Sequence, residues 1–169
     1  MAFTGSSKFA VDLLLTDVLD DQNPRNTVAL SRKTTWTDGT GANAAETFFH
    51  DERTLGNGAN EALDFADSAN ALKDAFGNSL NLTAIKLLII HNKSGNGASM
   101  TVGPPASLGW ITAMAISDLM TIVDGGTFAI EAPTAGGYAV TADTGDLFTI
   151  TNLDGSNSLT YSITIIGLT

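Results

Sequence analysis

Cysteine is absent from the chain, which excludes disulfides and thiolate metal sites and leaves the compartment open. Charged residues make up only 15%, against roughly a quarter in an ordinary soluble domain. Bases are scarcer than acids, 8 against 18 for a net charge of −10, and none lies beyond Lys93. Between Ser94 and Thr169 the only charges are Asp118, Asp124, Glu131, Asp143, Asp146 and Asp154. A half of that sign repels a phosphate backbone and an anionic bilayer alike, so neither nucleic acid nor membrane is an expected partner. Long apolar runs are also missing, and nothing approaches the roughly 20 residues of a membrane span. The leading residues, MAFTGSSKFAVDLLLTD, lack a basic segment followed by an apolar one. No secretion signal is expected, and synthesis in the cytoplasm is.

What is present points to strands. At 169 residues and 43% apolar content the chain suits one domain that buries roughly two thirds of its unfolded surface. Thr, Ser, Asn and Gly fill its surface, a composition poor for long helices. In LTYSITIIG, Leu159, Tyr161, Ile163 and Ile165 alternate with Thr160, Ser162 and Thr164, the period of a half-buried strand. DLFTITN repeats it with Phe148 and Ile150. MTIVDGGTFAIEA predicts a hairpin turning at Asp124-Gly125-Gly126. In TAIKLLIIHN, Ile85, Leu87 and Ile89 fill one face while Leu88 and Ile90 fill the other, so strand 84–91 needs cover on both sides.

Further strands are expected near 27–33, 46–55, 60–65, 98–103 and 138–142. Residues 8–19 alternate as a strand, although Val11, Leu14, Leu15, Val18 and Leu19 also suit a helix face; the strand is favoured. SANALKDAF, 68–76, predicts one short helix stopped by Gly77 and Asn78. DDQNP, 20–24, reads as a hinge. The expectation is an all-β, jelly-roll-like antiparallel sandwich over 25–169, with an extended N-terminal arm over 1–24.

No catalytic constellation emerges. His50 and His91, with Asp51 or Glu52, have no spacing that selects a metal, and a surface His50 and strand-end His91 are the expectation. GTGANA lacks the Lys-Ser/Thr ending of a phosphate loop and the following helix of a dinucleotide fingerprint. After Asp38 the calcium-loop positions hold Thr40 and Ala42 instead of carboxylates. No serine sits in a G-x-S-x-G elbow. Asp51-Glu52 and Asp64 with Asp67 are read as solvated loop acids rather than a glycosidase pair. Trp36, Trp110, Tyr138 and Tyr161 are too dispersed for a sugar platform. The expectation is a protein that is not an enzyme and has no cofactor, metal or small-molecule substrate.

Three segments are distinctive together: TTWTDGTGANAAETFFHDERTL, LDFADSANALKDAFGNSLNLTAIKLLIIHN and GDLFTITNLDGSNSLTYSITIIG. Their order and spacing over residues 30–167 resemble small structural proteins encoded beside the major capsid protein of tailed phages, of the capsid decoration or cement type. The family pattern carries a polar residue after GAN where this chain has Ala44. The resemblance implies a homotrimer on the exterior of the virion capsid, with the major capsid protein and itself as partners. It places Trp36, Asp38, Gly39, Gly41 and Asn43 at an assembly interface. Charge segregation adds Arg25, Arg32, Lys33 and Arg53 as shell-facing bases, and the two-sided apolar pattern of strand 84–91 adds Leu88 and Ile90. For Trp36 and strand 84–91, a subunit contact and a role in the chain's own core both stand open.

Overall fold

The computed structural model describes residues 2–16, 25–66, 72–74 and 76–169. Two long strands leave the rest of the molecule as a ribbon. β1 (Gly5–Thr16) and β2 (Arg25–Asp38) pair antiparallel along their whole length, from Gly5 opposite Trp36 to Thr16 opposite Arg25. Twelve paired positions at about 3.4 Å each make a ribbon roughly 40 Å long. After β2 the chain turns through Gly39, at φ 120°, and Asn43, at φ 55°. It then lays β3 (Ala44–Ala45) parallel to the end of β2.

The body consists of two antiparallel sheets. β4 (Thr47–Leu55), β12 (Leu159–Leu168) and β6 (Ala84–Asn92) lie side by side. β9 (Thr127–Glu131) and β10 (Tyr138–Ala139) share the far edge of β6. The second sheet runs β5 (Asn60–Asp64), β11 (Leu147–Asn152), β7 (Met100–Gly103), β8 (Met120–Ile122). One core joins them: Phe49, Leu88, Ile90, Tyr161 and Ile163 from the first sheet meet Leu63, Met100, Val102, Phe148 and Ile150 from the second. The period-two reading of β11 and β12 holds, with Phe148, Ile150, Leu159, Tyr161, Ile163 and Ile165 all buried.

β6 is covered on both faces, as its sequence requires. The alternation breaks once, because Ile166 pairs with Leu87 and Gly167 with Ile85, so Lys86 is the extra residue of a bulge in β6. Ile85 thereby joins Leu88 and Ile90 in the inner core, while Leu87 faces outward with Ile166. Gly167 is needed there, since a Cβ would stand 2.6 Å from the Ala84 carbonyl oxygen. Lys86 is buried, and its ammonium donates to the carbonyls of Thr134 and Ala135, the latter at 2.6 Å. Burial pulls its pKa below the ordinary lysine value.

Three expectations are corrected. β8 and β9 do form on either side of the Asp124 turn, but they do not pair as a hairpin. β8 pairs β7 and β9 pairs β6, so the turn carries the chain from one sheet to the other. The helix expected over 68–76 is not found. Residues 67–71 and 75 lie outside the described residues, Lys73 bridges Ser79 in antiparallel fashion, and Phe76 is in a turn. The Asp74 carboxylate, accepting from the amides of Phe76 and Asn78 at 2.8 Å each, organises that turn in place of a helix. The arm is not residues 1–24 alone, because half of it is β2, and the expected hinge at 20–24 lies outside the described residues.

Candidate assembly surface

Trp36 closes the ribbon onto the body. Its indole, 1% exposed, packs against Ala45, Leu87 and Ile166, with Phe3 and Ile89 alongside. A buried indole N–H needs an acceptor. Nε1 donates to Ser7 Oγ at 3.0 Å, and that hydroxyl donates to Glu131 Oε1. Arg32 Nη2 lies 3.2 Å from Glu131 Oε2. Register brings these groups together. Glu131 stands opposite Leu87 and so shares the outer face of the sheet. Ser7, Arg32 and Trp36 occupy alternate cross-strand positions and so share one face of the ribbon.

Outward from Arg32 that same ribbon face becomes apolar. β1 contributes Phe9, Val11, Leu13 and Leu15, and β2 contributes Leu30 opposite Val11 and Val28 opposite Leu13. All six are exposed, from 39% at Phe9 to 70% at Leu15. The other face carries Ser6, Lys8, Ala10 and Asp12 against Thr35, Lys33, Ser31 and Ala29, with Leu14 its one large apolar residue. The ribbon is therefore amphipathic, and nothing among the described residues covers its apolar side.

The expected interface residues scatter over this geometry. Leu88 and Ile90 are fully buried in the inner core and Trp36 in the outer one, so these three offer no surface to a partner. Asp38 accepts from the Phe3 amide at 3.0 Å, and Asn43 donates its amide to Pro133 O at 2.8 Å. Gly41 O accepts the Ala44 amide at 3.3 Å. The Asp38–Asn43 loop is thus a fastener between the ribbon and the body. Lys33 is exposed on the polar ribbon face, directly opposite Lys8. Arg53 is engaged elsewhere: Nε donates to Asp51 at 2.9 Å and Nη1 to Glu61 at 2.8 Å. Burial opposes its charge, but those two carboxylates outweigh it and raise its pKa. Tyr161 Oη donates to the same Glu61 at 2.6 Å, and burial followed by that bond pushes the phenol up.

Among the described residues no three His, Cys, Asp or Glu side chains are grouped to hold a metal ion. His50 Nδ1 lies 2.9 Å from Thr164 Oγ1, and His91 Nδ1 lies 2.9 Å from Thr127 Oγ1. A hollow beside the edge strand β4 is lined by Phe3, Phe48 and Phe76 with Glu46, His50 and Asp74. No membrane-length apolar helix occurs among the described residues.

Asp146, just before β11, is buried, and burial raises its carboxyl above the ordinary 3.8. A hydrogen bond from the Asp143 amide at 2.7 Å opposes this, and the nearby charge of Asp64 adds to it. With the folded-state value raised, ionising Asp146 costs stability. The loss begins as pH climbs past 3.8 and is complete above the folded-state value. Asp146→Asn keeps an acceptor and removes the charge. Its melting temperature at pH 7 is expected to rise above that of the wild type, with the gain vanishing below pH 3.8. An unchanged or lower value at pH 7 would contradict the assignment.

The exposed apolar stripe is the feature the sequence reading missed. Its signal was present: Phe9, Val11, Leu13 and Leu15 alternate, and Val28 and Leu30 repeat the period after the DDQNP segment. The missing step was the pairing that puts both sets on one face. Compared with protein-family models, curated proteins and solved structures, the chain gives no match.

Proposed function

We propose that this is a structural component of a tailed-phage particle, a jelly-roll cement protein that binds the exterior of the assembled shell as a homotrimer and stabilises it. The wiring supports the jelly-roll reading. The strand order β4-β12-β6-β9 faces β5-β11-β7-β8, and β7–β8 is the one step between successive strands of this set that stays in one sheet. Eight strands in two such sheets are the jelly-roll pattern that capsid and lectin domains use. The observation that carries the functional reading is the amphipathic ribbon. It extends from the two-sheet body and offers two chemically different faces.

Stabilisation would follow from mass action, because a protein that binds the closed lattice and not free subunits adds its binding free energy to the lattice. The facing Lys8 and Lys33 carry like charge directly opposite, an arrangement that disfavours the ribbon unless an anionic surface offsets it. They are the proposed shell contact. Particles purified from a host carrying the gene should contain the protein at a copy number commensurate with the major capsid protein, and its absence from the particle sinks the reading. Lys8→Glu with Lys33→Glu should reduce rebinding to stripped shells at least tenfold at low salt. Wild-type rebinding by that variant would remove these lysines from the contact.

A second reading has one observation in its favour. Phe48 and Phe76 are exposed around the hollow beside β4, with Phe3 6.3 Å from Phe48. Exposed aromatic rings in a jelly roll suit a glycan or receptor site. Saturable glycan binding lost in Phe48→Ala would favour a head-fibre or tail-associated module over cement.

A further inference from the structure

We infer that the hollow beside β4 binds an alkylated ammonium ion, a trimethylammonium head group or its like, held against phenyl faces and beside two carboxylates. The ligand class is distinct from the glycan weighed above for the same hollow, and it stands apart from any role in shell binding.

Three rings reach the hollow from separate parts of the chain, and each is positioned independently. Phe48 stands on β4 opposite Ile166 of β12. Phe3 packs against the outer core beside Trp36, and its amide donates to Asp38. Phe76 lies in the turn that Asp74 organises. Phe48 is 57% and Phe76 72% exposed, so neither ring is used by the chain's own core. The Phe3 and Phe48 rings stand 6.3 Å apart at 48°, opening around a space instead of stacking to fill it. That space is about 230 Å³. It falls below the roughly 300–1,000 Å³ that encloses a drug-sized ligand, which suits a head group and not a whole larger molecule.

Charge and hydrogen bonding select the occupant. Among the described residues, the lining carries Glu46 and Asp74 but neither lysine nor arginine. Lys73, the base next to Asp74 in the chain, lines a different depression with Asp51, Arg53 and Asp64. His50 is tied to Thr164 through Nδ1. Both carboxylates already accept hydrogen bonds within the chain. Glu46 accepts from the Thr169 amide at 3.0 Å, and Asp74 from the Phe76 and Asn78 amides and from Asn78 Nδ2 at 3.1 Å. The Asn78 side chain above all holds the Asp74 carboxyl below its ordinary 3.8, so its charge persists. An occupant therefore meets negative charge and aromatic faces, beside oxygens already engaged. A primary ammonium brings three donors that each need an acceptor, and sugar hydroxyls make a similar demand. A quaternary ammonium needs none, and the ring faces attract it directly.

The test titrates the full chain with choline and, separately, with the alcohol whose tert-butyl group replaces the trimethylammonium of choline. Amide shifts in the nuclear magnetic resonance spectrum should saturate at millimolar choline, centred on Phe48 and His50. Affinity for choline should exceed that for the neutral isostere about tenfold. Phe48→Leu and Phe76→Leu keep apolar bulk at exposed positions and remove a ring, and each should weaken choline binding about fivefold. Glu46→Gln with Asp74→Asn keeps the acceptors and removes the charge, and should shrink the preference for choline over the isostere. Absence of saturation by choline, equal affinity for the alcohol, an affinity that neither leucine variant changes, or a preference that survives removal of both charges each overturns the inference. So does a neutral sugar that saturates the hollow while choline does not, an outcome that favours the glycan site instead. None of these outcomes bears on particle copy number, so a failure here is distinct from a failure of the cement reading.

Discussion

Replacing Trp36 with alanine is expected to free the ribbon while the two-sheet body stays folded. The indole is the largest side chain in the outer core, and truncating a buried tryptophan costs about 3–5 kcal/mol. That loss falls on the contact between ribbon and body, because Ala45, Leu87 and Ile166 lose their neighbour while the inner core is untouched. Ser7 also loses the donor that positions it on Glu131. Hydrogen exchange should show β1 and β2 amides losing protection while β6 and β12 retain theirs. Uniform loss over the whole chain, or none anywhere, would contradict this partition. Trp36→Phe isolates the polar part: it keeps most of the packing, removes the Nε1 donor, and should cost about 1 kcal/mol.

The other tryptophan should behave differently. Trp110 sits in the inner core, edge-on to Phe65 at 5.5 Å and to Phe148 and Tyr138 at 5.9 Å each. Its Nε1 donates to Ala139 O at 2.8 Å, tying the loop that bears it to β10. Trp110→Ala should likewise cost about 3–5 kcal/mol, but from the global unfolding free energy. Denaturation followed by far-ultraviolet circular dichroism should show one shifted transition with all sheets lost together. A shift below about 1 kcal/mol would mean that the aromatic cluster repacks around the gap, a route open only where neighbours can collapse. The contrast between the two variants separates an attached arm from an integral core.

The strands were legible because each carries its own period. Leu159, Tyr161, Ile163 and Ile165 declare a face without reference to any other residue, and so do Phe148 and Ile150. Strand partners were not legible, because pairing is decided by surfaces distant in sequence. The Asp124 turn has hairpin composition, yet β8 finds β7 and β9 finds β6. The helix expectation over 68–76 failed at Lys73, where local propensity gave way to a bridge with Ser79. Trp36, Leu88 and Ile90 had two readings open in the sequence, and burial within one chain leaves them no surface for a partner. The exposed stripe required knowing that Val11 faces Leu30, a fact of register that no single strand's pattern contains.

The place of β12 constrains the order in which the molecule can be made. Both β4 and β6 hydrogen-bond to β12, which spans Leu159–Leu168, so neither strand near the middle of the chain meets its shared neighbour until those residues have left the ribosome. Contacts of such long sequence separation make folding slow and leave apolar strands waiting. β1 and β2 are the opposite case, since their pairing runs between segments close in sequence and can zip during synthesis. A nascent chain would therefore display the apolar stripe of its ribbon before the two-sheet body had closed. Chains on neighbouring ribosomes would then meet first through their ribbons, which favours low expression rates or chaperone cover for productive assembly.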